Sequence, residues 1–290
     1  MNYPLPNDVS GSRSDLIKSY KQVISKNRDA NFPIDSNNCF RICVYNVYQF
    51  RFLYNSNKNI YDFIKKIKPD YLSLIEYNNY PLDKYFCNLN FHSVFLEQLK
   101  DYGILSITHH KPSISKKKYI QSGIEEKSGF THSYIAGLNI ITIHLDVYDE
   151  SGTTRLYEIM EIHEYVVTNS LENVIIIGDF NEMDVKSEHP LYKEYLDEFR
   201  ERTNYKNFST RVHDILRKLR YINVYDLFEN DEIPKFSCWS GKLVDYCYIW
   251  QPTWNSNYKI FDINMPMIPF SDHLPIVLDI KLPNNTNSAL

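Results

Sequence analysis

The chain has 290 residues, 43% hydrophobic and 23% charged, a balance that excludes a disordered or collagen-like polymer and allows a large core without disulfide or metal staples. A net charge of −4 excludes a basic nucleic-acid coat, although an acidic enzyme acts on a polyanion when a metal and a local basic rim supply the attraction. No run approaches the roughly 20 apolar residues that span a bilayer, the N-terminus MNYPLPNDVSGS has no signal-peptide pattern, and the scattered Cys39, Cys43, Cys87, Cys238 and Cys247 form no C-x-x-C pair.

These features lead us to expect a monomer in a reducing intracellular setting, cytoplasmic or nuclear, without stable membrane insertion. Residues 1–11 read as a tail. Over 12–26, Leu16, Ile17, Tyr20, Val23 and Ile24 form the stripe of an amphipathic helix, capped by Ser12 or Ser14 and expected to pack on a domain edge. Residues 31–38 are polar, contain Pro33 and read as a linker.

From Phe40 the pattern alternates between strands and helices. Strands are predicted over 40–46, 71–75, 91–96, 103–108, 134–145, 174–177, 243–250 and 275–280. Helices are predicted over 60–67, stopped by Pro69, over 153–170, and through most of 189–220. Lys116, Lys117 and Lys118 read as a solvated loop. Interleaving without a composition break predicts one α/β domain over 39–282, preceded by 1–38 and followed by a polar tail over 283–290.

Polar residues recur where apolar strands end. Asn46 follows RICVY, Glu76 follows YLSLI, His144 follows NIITI, and Asp179 and Asn181 follow VIIIG. Asp245 lies within KLVDYCYIW, and Asp272 and His273 precede LPIVLDI. Strand ends are rigid platforms for functional groups, and so many polar groups there are costly unless they meet and pair. Carboxylates with an amide oxygen suit Mg²⁺ or Mn²⁺. Two imidazoles with a carboxylate suit proton transfer or stabilisation of an anionic transition state. The absence of cysteine from the set argues against zinc and a thiol nucleophile. No G-x-S-x-G or P-loop motif is present.

The ordered series Tyr45-Asn46-Val47, Ile75-Glu76, Ile143-His144-Leu145-Asp146, Gly178-Asp179-Phe180-Asn181, Val244-Asp245-Tyr246 and Ser271-Asp272-His273 resembles the endonuclease/exonuclease/phosphatase (DNase I-like) superfamily. The resemblance runs from about residue 40 to 282. It implies a four-layer α/β sandwich, two packed mixed sheets flanked by helices, and a Mg²⁺-dependent phosphoric ester hydrolase. By the same resemblance Glu76 is the principal metal ligand, with Asn46 and Asp272 completing the site. Asp179 orients or deprotonates water, Asn181 holds a phosphate oxygen, and His144 donates to the phosphoryl group. His273, oriented by Asp245, is the other acid/base group. Whether Asp179 or His273 is the base stays open. Two departures stand out: Tyr48 replaces the Asp common two positions after the Asn, and Ile75 replaces the usual Gln.

A nucleic-acid substrate is expected, with nuclease or 5′-tyrosyl-DNA phosphodiesterase-like end processing in DNA repair. The segment HLDVYDESGTTRLYEIMEI resembles a stretch of tyrosyl-DNA phosphodiesterase-like members in which an Arg supports the phosphate site, which makes Arg155 the matching residue. Trp239 is a candidate for stacking a base. Lys111 with Lys116–Lys118, and Arg211, Arg217, Lys218 and Arg220, are basic stretches that fit a phosphate backbone. The alternatives are a phospholipid or small-phosphoester hydrolase, sphingomyelinase-like, which requires an exposed apolar loop beside the site, and a non-catalytic module of the same fold.

Overall fold

The computed structural model describes residues 39–48, 56–78, 91–99, 102–120, 128–149, 151–184, 209–228, 237–238, 242–266 and 271–283. The expected helix over 12–26, all of 189–208, Trp239 and residues 284–290 lie outside them.

Two six-stranded sheets make up the centre. The first contains β1 (Cys39–Asn46), β2 (Tyr71–Tyr77), β3 (His92–Leu99), β4 (Tyr102–Thr108), β11 (Lys259–Asn264) and β12 (Ile276–Lys281), in the order β11-β12-β1-β2-β4-β3. The second contains β5 (Ile114–Ile120), β6 (Ser128–Ile135), β7 (Leu138–His144), β8 (Val174–Asp179), β9 (Tyr221–Asn223) and β10 (Asp245–Trp250), in the order β5-β6-β7-β8-β10-β9. Each sheet has one parallel pair at its middle, β1 with β2 and β7 with β8, and antiparallel neighbours elsewhere.

Helices cover the outer faces. In β1, Phe40, Ile42 and Val44 join the core between the sheets, while Cys43 and Tyr45 alternate to the other face. There they meet Ile60, Tyr61, Ile64 and Ile67 of α1 (Ser56–Ile67). Burial on both faces is why ICVY, residues 42–45, reads as a continuous apolar run. On the second sheet α2 (Thr153–Thr168) packs Ile159, Ile162 and Val166 against the strands, beside α3 (Arg211–Lys218). The result is the expected four-layer sandwich. Between the sheets, the Tyr71 hydroxyl lies 2.9 Å from Ser106 Oγ and 3.0 Å from Thr142 Oγ1, and Ser106 Oγ lies 2.7 Å from Thr131 Oγ1. These buried hydroxyls satisfy one another across the layers.

Several expectations are corrected. The single strand over 134–145 is a hairpin, because Ala136 and Gly137 both take positive φ (54° and 79°) and reverse the chain. The lysine run is not a loop: it lies on the edge strand β5, with Lys116 and Lys117 exposed and Lys118 half-buried over the Tyr165 ring, and its charge discourages pairing with another chain. Strands β5, β6, β9 and β11 carried no clear apolar period and were not predicted. The expectation of helix through most of 189–220 holds in its described part, 209–220, where Arg211–Lys218 is helical. Among the described residues, no helix is long and apolar enough to cross a membrane.

A candidate active site at one edge of the sandwich

Strand direction gathers the candidate residues. Parallel β1 and β2 end side by side, bringing Asn46 opposite Ile75 and next to Glu76. Parallel β7 and β8 do the same for His144 and Asp179, which are register partners. Antiparallel β10 starts where β8 ends, so Asp245 pairs with Asp179. Antiparallel β12 starts where β1 ends, which delivers Asp272 and His273 from the segment just before it. Residues from position 46 to 273 therefore share one edge.

Local backbone features aim the side chains. The register between β2 and β4 shifts between Leu74 and Tyr77, and Glu76 within that bulge has φ 54°. A left-handed residue other than Gly costs roughly 1–2 kcal/mol, and the bulge turns Glu76 out of the strand's alternation. At Gly178 (φ 145°) a Cβ would fall 2.1 Å from the Ile143 carbonyl oxygen. Glycine there lets β8 approach β7 and keeps Asp179 beside His144. Asn181 is left-handed (φ 48°), a conformation Asn tolerates.

At the centre is Asp179, 1% exposed. Its Oδ2 accepts from Asn46 Nδ2 at 3.1 Å, and its Oδ1 accepts from the Asn181 backbone N–H at 2.8 Å. Asn46 Nδ2 also donates to Glu76 Oε1 at 3.1 Å, while Asn46 Oδ1 accepts from Tyr48 N–H. Two imidazoles flank this group. His144 Nε2 faces Glu76 Oε1 at 3.8 Å and Asp179 Oδ2 at 3.9 Å; His273 Nε2 faces Asp179 Oδ2 at 3.7 Å. Each ring is fixed from behind. His273 Nδ1 donates to Asp245 Oδ2 at 2.8 Å. His144 Nδ1 donates to Gln98 Oε1, and Gln98 Nε2 donates to the His144 carbonyl, both at 3.1 Å.

Burial and charge set the proton affinities. Burial alone lowers that of His273, but the carboxylates of Asp245, Asp179 and Asp272 outweigh it and hold the ring well above the usual histidine range. Asp272 is pushed up to about 7, chiefly by burial, with the charges of Glu76 and Asp179 adding to it and His273 and Ser271 opposing it. Glu76, Asp179, Asp245 and Asp272 thus crowd one buried edge with too little positive charge to balance them. That donor set, oxygen-rich and electrostatically frustrated, fits a divalent cation.

Two subsets offer themselves as ligands. Asp179, Asp245 and His273 bring ligand atoms within 4.8 Å of one another. In that subset, however, His273 Nδ1 and Asp245 Oδ2 already bond each other, and a ligating imidazole must give up the proton that these carboxylates hold on it. Glu76, Asn46 and Asp272 are the better fit, since Glu76 is the carboxylate in the cluster with the more open side chain, 17% exposed against 1% for Asp179.

Other predicted residues fall differently. Asn181 Nδ2 gives one N–H to the Leu145 carbonyl at 2.9 Å, leaving its second for another acceptor. Arg155 is only 2% exposed; its Nε donates to Glu182 Oε2 at 3.3 Å and its Nη1 to the Asp146 carbonyl at 3.0 Å. It braces the loop after His144 from beneath. Trp239 lies outside the described residues. Sequence reasoning missed Gln98, a lone Gln in a strand pattern, and Ser237, whose Oγ accepts from the Val244 and Asp245 backbone N–H groups. Neither carries a local signal. Ser271 lay inside the quoted motif; its Oγ donates to the Asn46 carbonyl at 2.7 Å and ties β1 to the Asp272 segment.

No family model and no curated protein matches the sequence. Solved structures do match the fold. An AP endonuclease from Archaeoglobus fulgidus has a TM-score of 0.62 at 17% identity, covering 82% of this chain and 98% of that one. The 3′ phosphatase NExo from Neisseria, bound to a product DNA hairpin, gives 0.61 at 13% identity over 82% and 98%. TDP2 from D. rerio, complexed with a single-strand DNA product, gives 0.57 at 14% identity over 84% and 100%. The chain has the α/β sandwich fold of the endonuclease/exonuclease/phosphatase enzymes, as its motif order implied. At these identities the likeness establishes the architecture, and the particular chemistry rests on the residues above.

Proposed function

We propose that the protein is a metal-dependent phosphodiesterase acting on nucleic acid, with Mg²⁺ as the physiological ion and Mn²⁺ as a substitute. The observation that carries this reading is the meeting of Asn46, Glu76, His144, Asp179, Asp245 and His273 within hydrogen-bonding or ion-pairing range at one sheet edge.

Glu76, Asn46 and Asp272 would hold the cation, which when bound offsets the negative charge of the phosphodiester and of the leaving oxygen. Asp179, locked by two donors, orients a water and takes its proton as the water oxygen bonds to phosphorus. The phosphorus–oxygen bond to the leaving group breaks, and the departing oxygen needs a proton. His273, with Nδ1 committed to Asp245, presents Nε2–H for that purpose or to a phosphoryl oxygen. His144, clamped by Gln98, presents Nε2 from the opposite side, and the free N–H of Asn181 adds a third donor. Donors fixed in advance around the developing charge are worth on the order of 10²–10³ each in rate. This arrangement favours Asp179 as the base and His273 as the donor.

The neighbours named for AP endonuclease activity and for DNA products support nucleic acid as the substrate class. The phospholipid alternative has one observation in its favour: Val147 and Tyr148, just past His144, are exposed. Two such residues between Asp146 and Asp149 fall short of an inserting apolar patch. The test is a panel of single- and double-stranded DNA, RNA, 5′-tyrosyl DNA and phospholipid with Mg²⁺, each with a Glu76→Ala control. Cleavage of a nucleic-acid phosphodiester that vanishes in the variant is expected. Hydrolysis confined to lipid head groups, or activity surviving Glu76→Ala, refutes the reading.

A further inference from the structure

The loop joining β7 to α2 stands at the rim of this edge, and its backbone is tied to the site. Leu145 N–H donates to the Asp179 carbonyl at 3.0 Å, and the Leu145 carbonyl accepts from Asn181 Nδ2. Tyr148 is three residues farther on, within roughly 11 Å of that anchor even at full extension. It is 68% exposed.

An exposed tyrosine is ordinary, but the backbone of this one is carried on a rigid support. Asp146 Oδ1 accepts from the backbone N–H groups of Tyr148 at 3.0 Å and Asp149 at 2.6 Å. Asp149 in turn caps Ser151 and Thr154, and its carbonyl accepts from Gly152 N–H. From below, Glu158 Oε2 accepts from Asp146 N–H and Arg155 holds the Asp146 carbonyl. Asp146 and Asp149 are thus occupied with the loop's own N–H groups.

A cation stands next to it. Arg211, exposed at the start of α3, donates from Nη1 to Thr153 Oγ1 at 2.9 Å, at the far end of the same loop. The neighbouring Val212 N–H donates to Glu182 Oε1 at 2.7 Å, one residue after Asn181. Arg217 on the same helix is already paired with Asp184 and Asp214, whereas no acid is paired with Arg211 among the described residues.

We propose that Tyr148 and Arg211 form a nucleotide-binding rim, in which Tyr148 stacks an unpaired base next to the scissile phosphate and Arg211 pairs with an adjoining backbone phosphate. The inference rests on the phosphodiesterase reading and narrows its substrate to single-stranded or frayed ends, because only an unstacked base offers its face to an aromatic ring. A backbone held in place beneath the ring is suited to this, since less freedom is lost on binding.

The test is fluorescence anisotropy of a labelled thymidine decamer with the full chain in Ca²⁺, alongside an abasic decamer of equal length. Tyr148→Ala is expected to weaken binding of the thymidine strand by about 5- to 150-fold, with Tyr148→Phe close to wild type and the abasic strand insensitive to either change. Arg211→Gln is expected to weaken both strands and to flatten the log affinity against log salt slope by about 0.7. Equal affinity of Tyr148→Ala and wild type for the thymidine strand overturns the proposal, as does an equal loss on the abasic strand. Loss of binding to phosphatidylserine vesicles with unchanged binding to DNA assigns the loop to lipid and overturns it too. Hydrolysis of bis-p-nitrophenyl phosphate by the wild type and by Glu76→Ala tests the central chemistry separately, so failure of the rim and failure of the active-site reading are distinguishable.

Discussion

Glu158 offers a quantitative check on the support beneath the site. It lies on α2, fully buried, and accepts from Ser128 Oγ and, at 2.9 Å, from Asp146 N–H. Burial pushes its carboxyl from 4.5 up to about 7; the bonds from Ser128 and Asp146 N–H pull it back, and the Asp146 charge adds to the rise. The folded chain therefore holds a proton that the unfolded chain releases between pH 4.5 and 7. This group's contribution to stability falls as pH rises through that window and levels off above it. Glu158→Gln keeps both contacts, with the amide oxygen accepting from Asp146 N–H and the NH₂ facing Ser128 Oγ, and carries no titration. A rise of some two and a half pH units corresponds to about 3 kcal/mol. Urea unfolding from pH 4.5 to 8.5 is expected to show the variant near wild type at the acid end and more stable by up to about 3 kcal/mol at the alkaline end. A difference that does not vary with pH, or that favours the wild type at pH 8.5, refutes the reasoning.

Three further outcomes follow from the geometry. Asp245→Asn removes the charge that holds the proton on His273; turnover of bis-p-nitrophenyl phosphate should fall on the order of 10²-fold, and the alkaline limb of the kcat profile should move to lower pH while the melting curve stays cooperative. Arg41 makes a two-pronged pair with Asp279 at 2.7 and 2.6 Å, deep at the opposite edge; Arg41→Ala leaves Asp279 buried and unpaired and should cost about 3–5 kcal/mol in urea unfolding. Gly178→Ala forces a Cβ against the Ile143 carbonyl and should cost at least about 1–3 kcal/mol, with activity falling further than stability because Asp179 loses its register with His144.

The fold was legible where strands are buried on both faces. VIIIG and the ICVY of β1 are unbroken apolar runs because the sheets are covered on both sides, and the polar residue closing each run marks the functional edge. Edge strands β5 and β11 were opaque for the opposite reason: Lys116, Lys117 and Lys259 face solvent, so their sequence carries no core period. The hairpin at Ala136-Gly137 was missed because alanine gives no sign that it takes positive φ. In the site, the groups meeting at the edge could be named from strand ends and motif order. Their supports could not, because Gln98 reaches His144 from the other sheet, and Arg155 looked like a surface residue until α2 showed it turned inward to Glu182.

The central claim is that one divalent cation sits against Glu76 and Asp272, facing the phosphate held between His144 and His273. The most direct measurement is anomalous diffraction from crystals soaked in Mn²⁺. A single strong peak in contact with the Glu76 and Asp272 carboxylates is the result expected. A peak enclosed instead by Asp179, Asp245 and His273, or no peak at this edge, contradicts it.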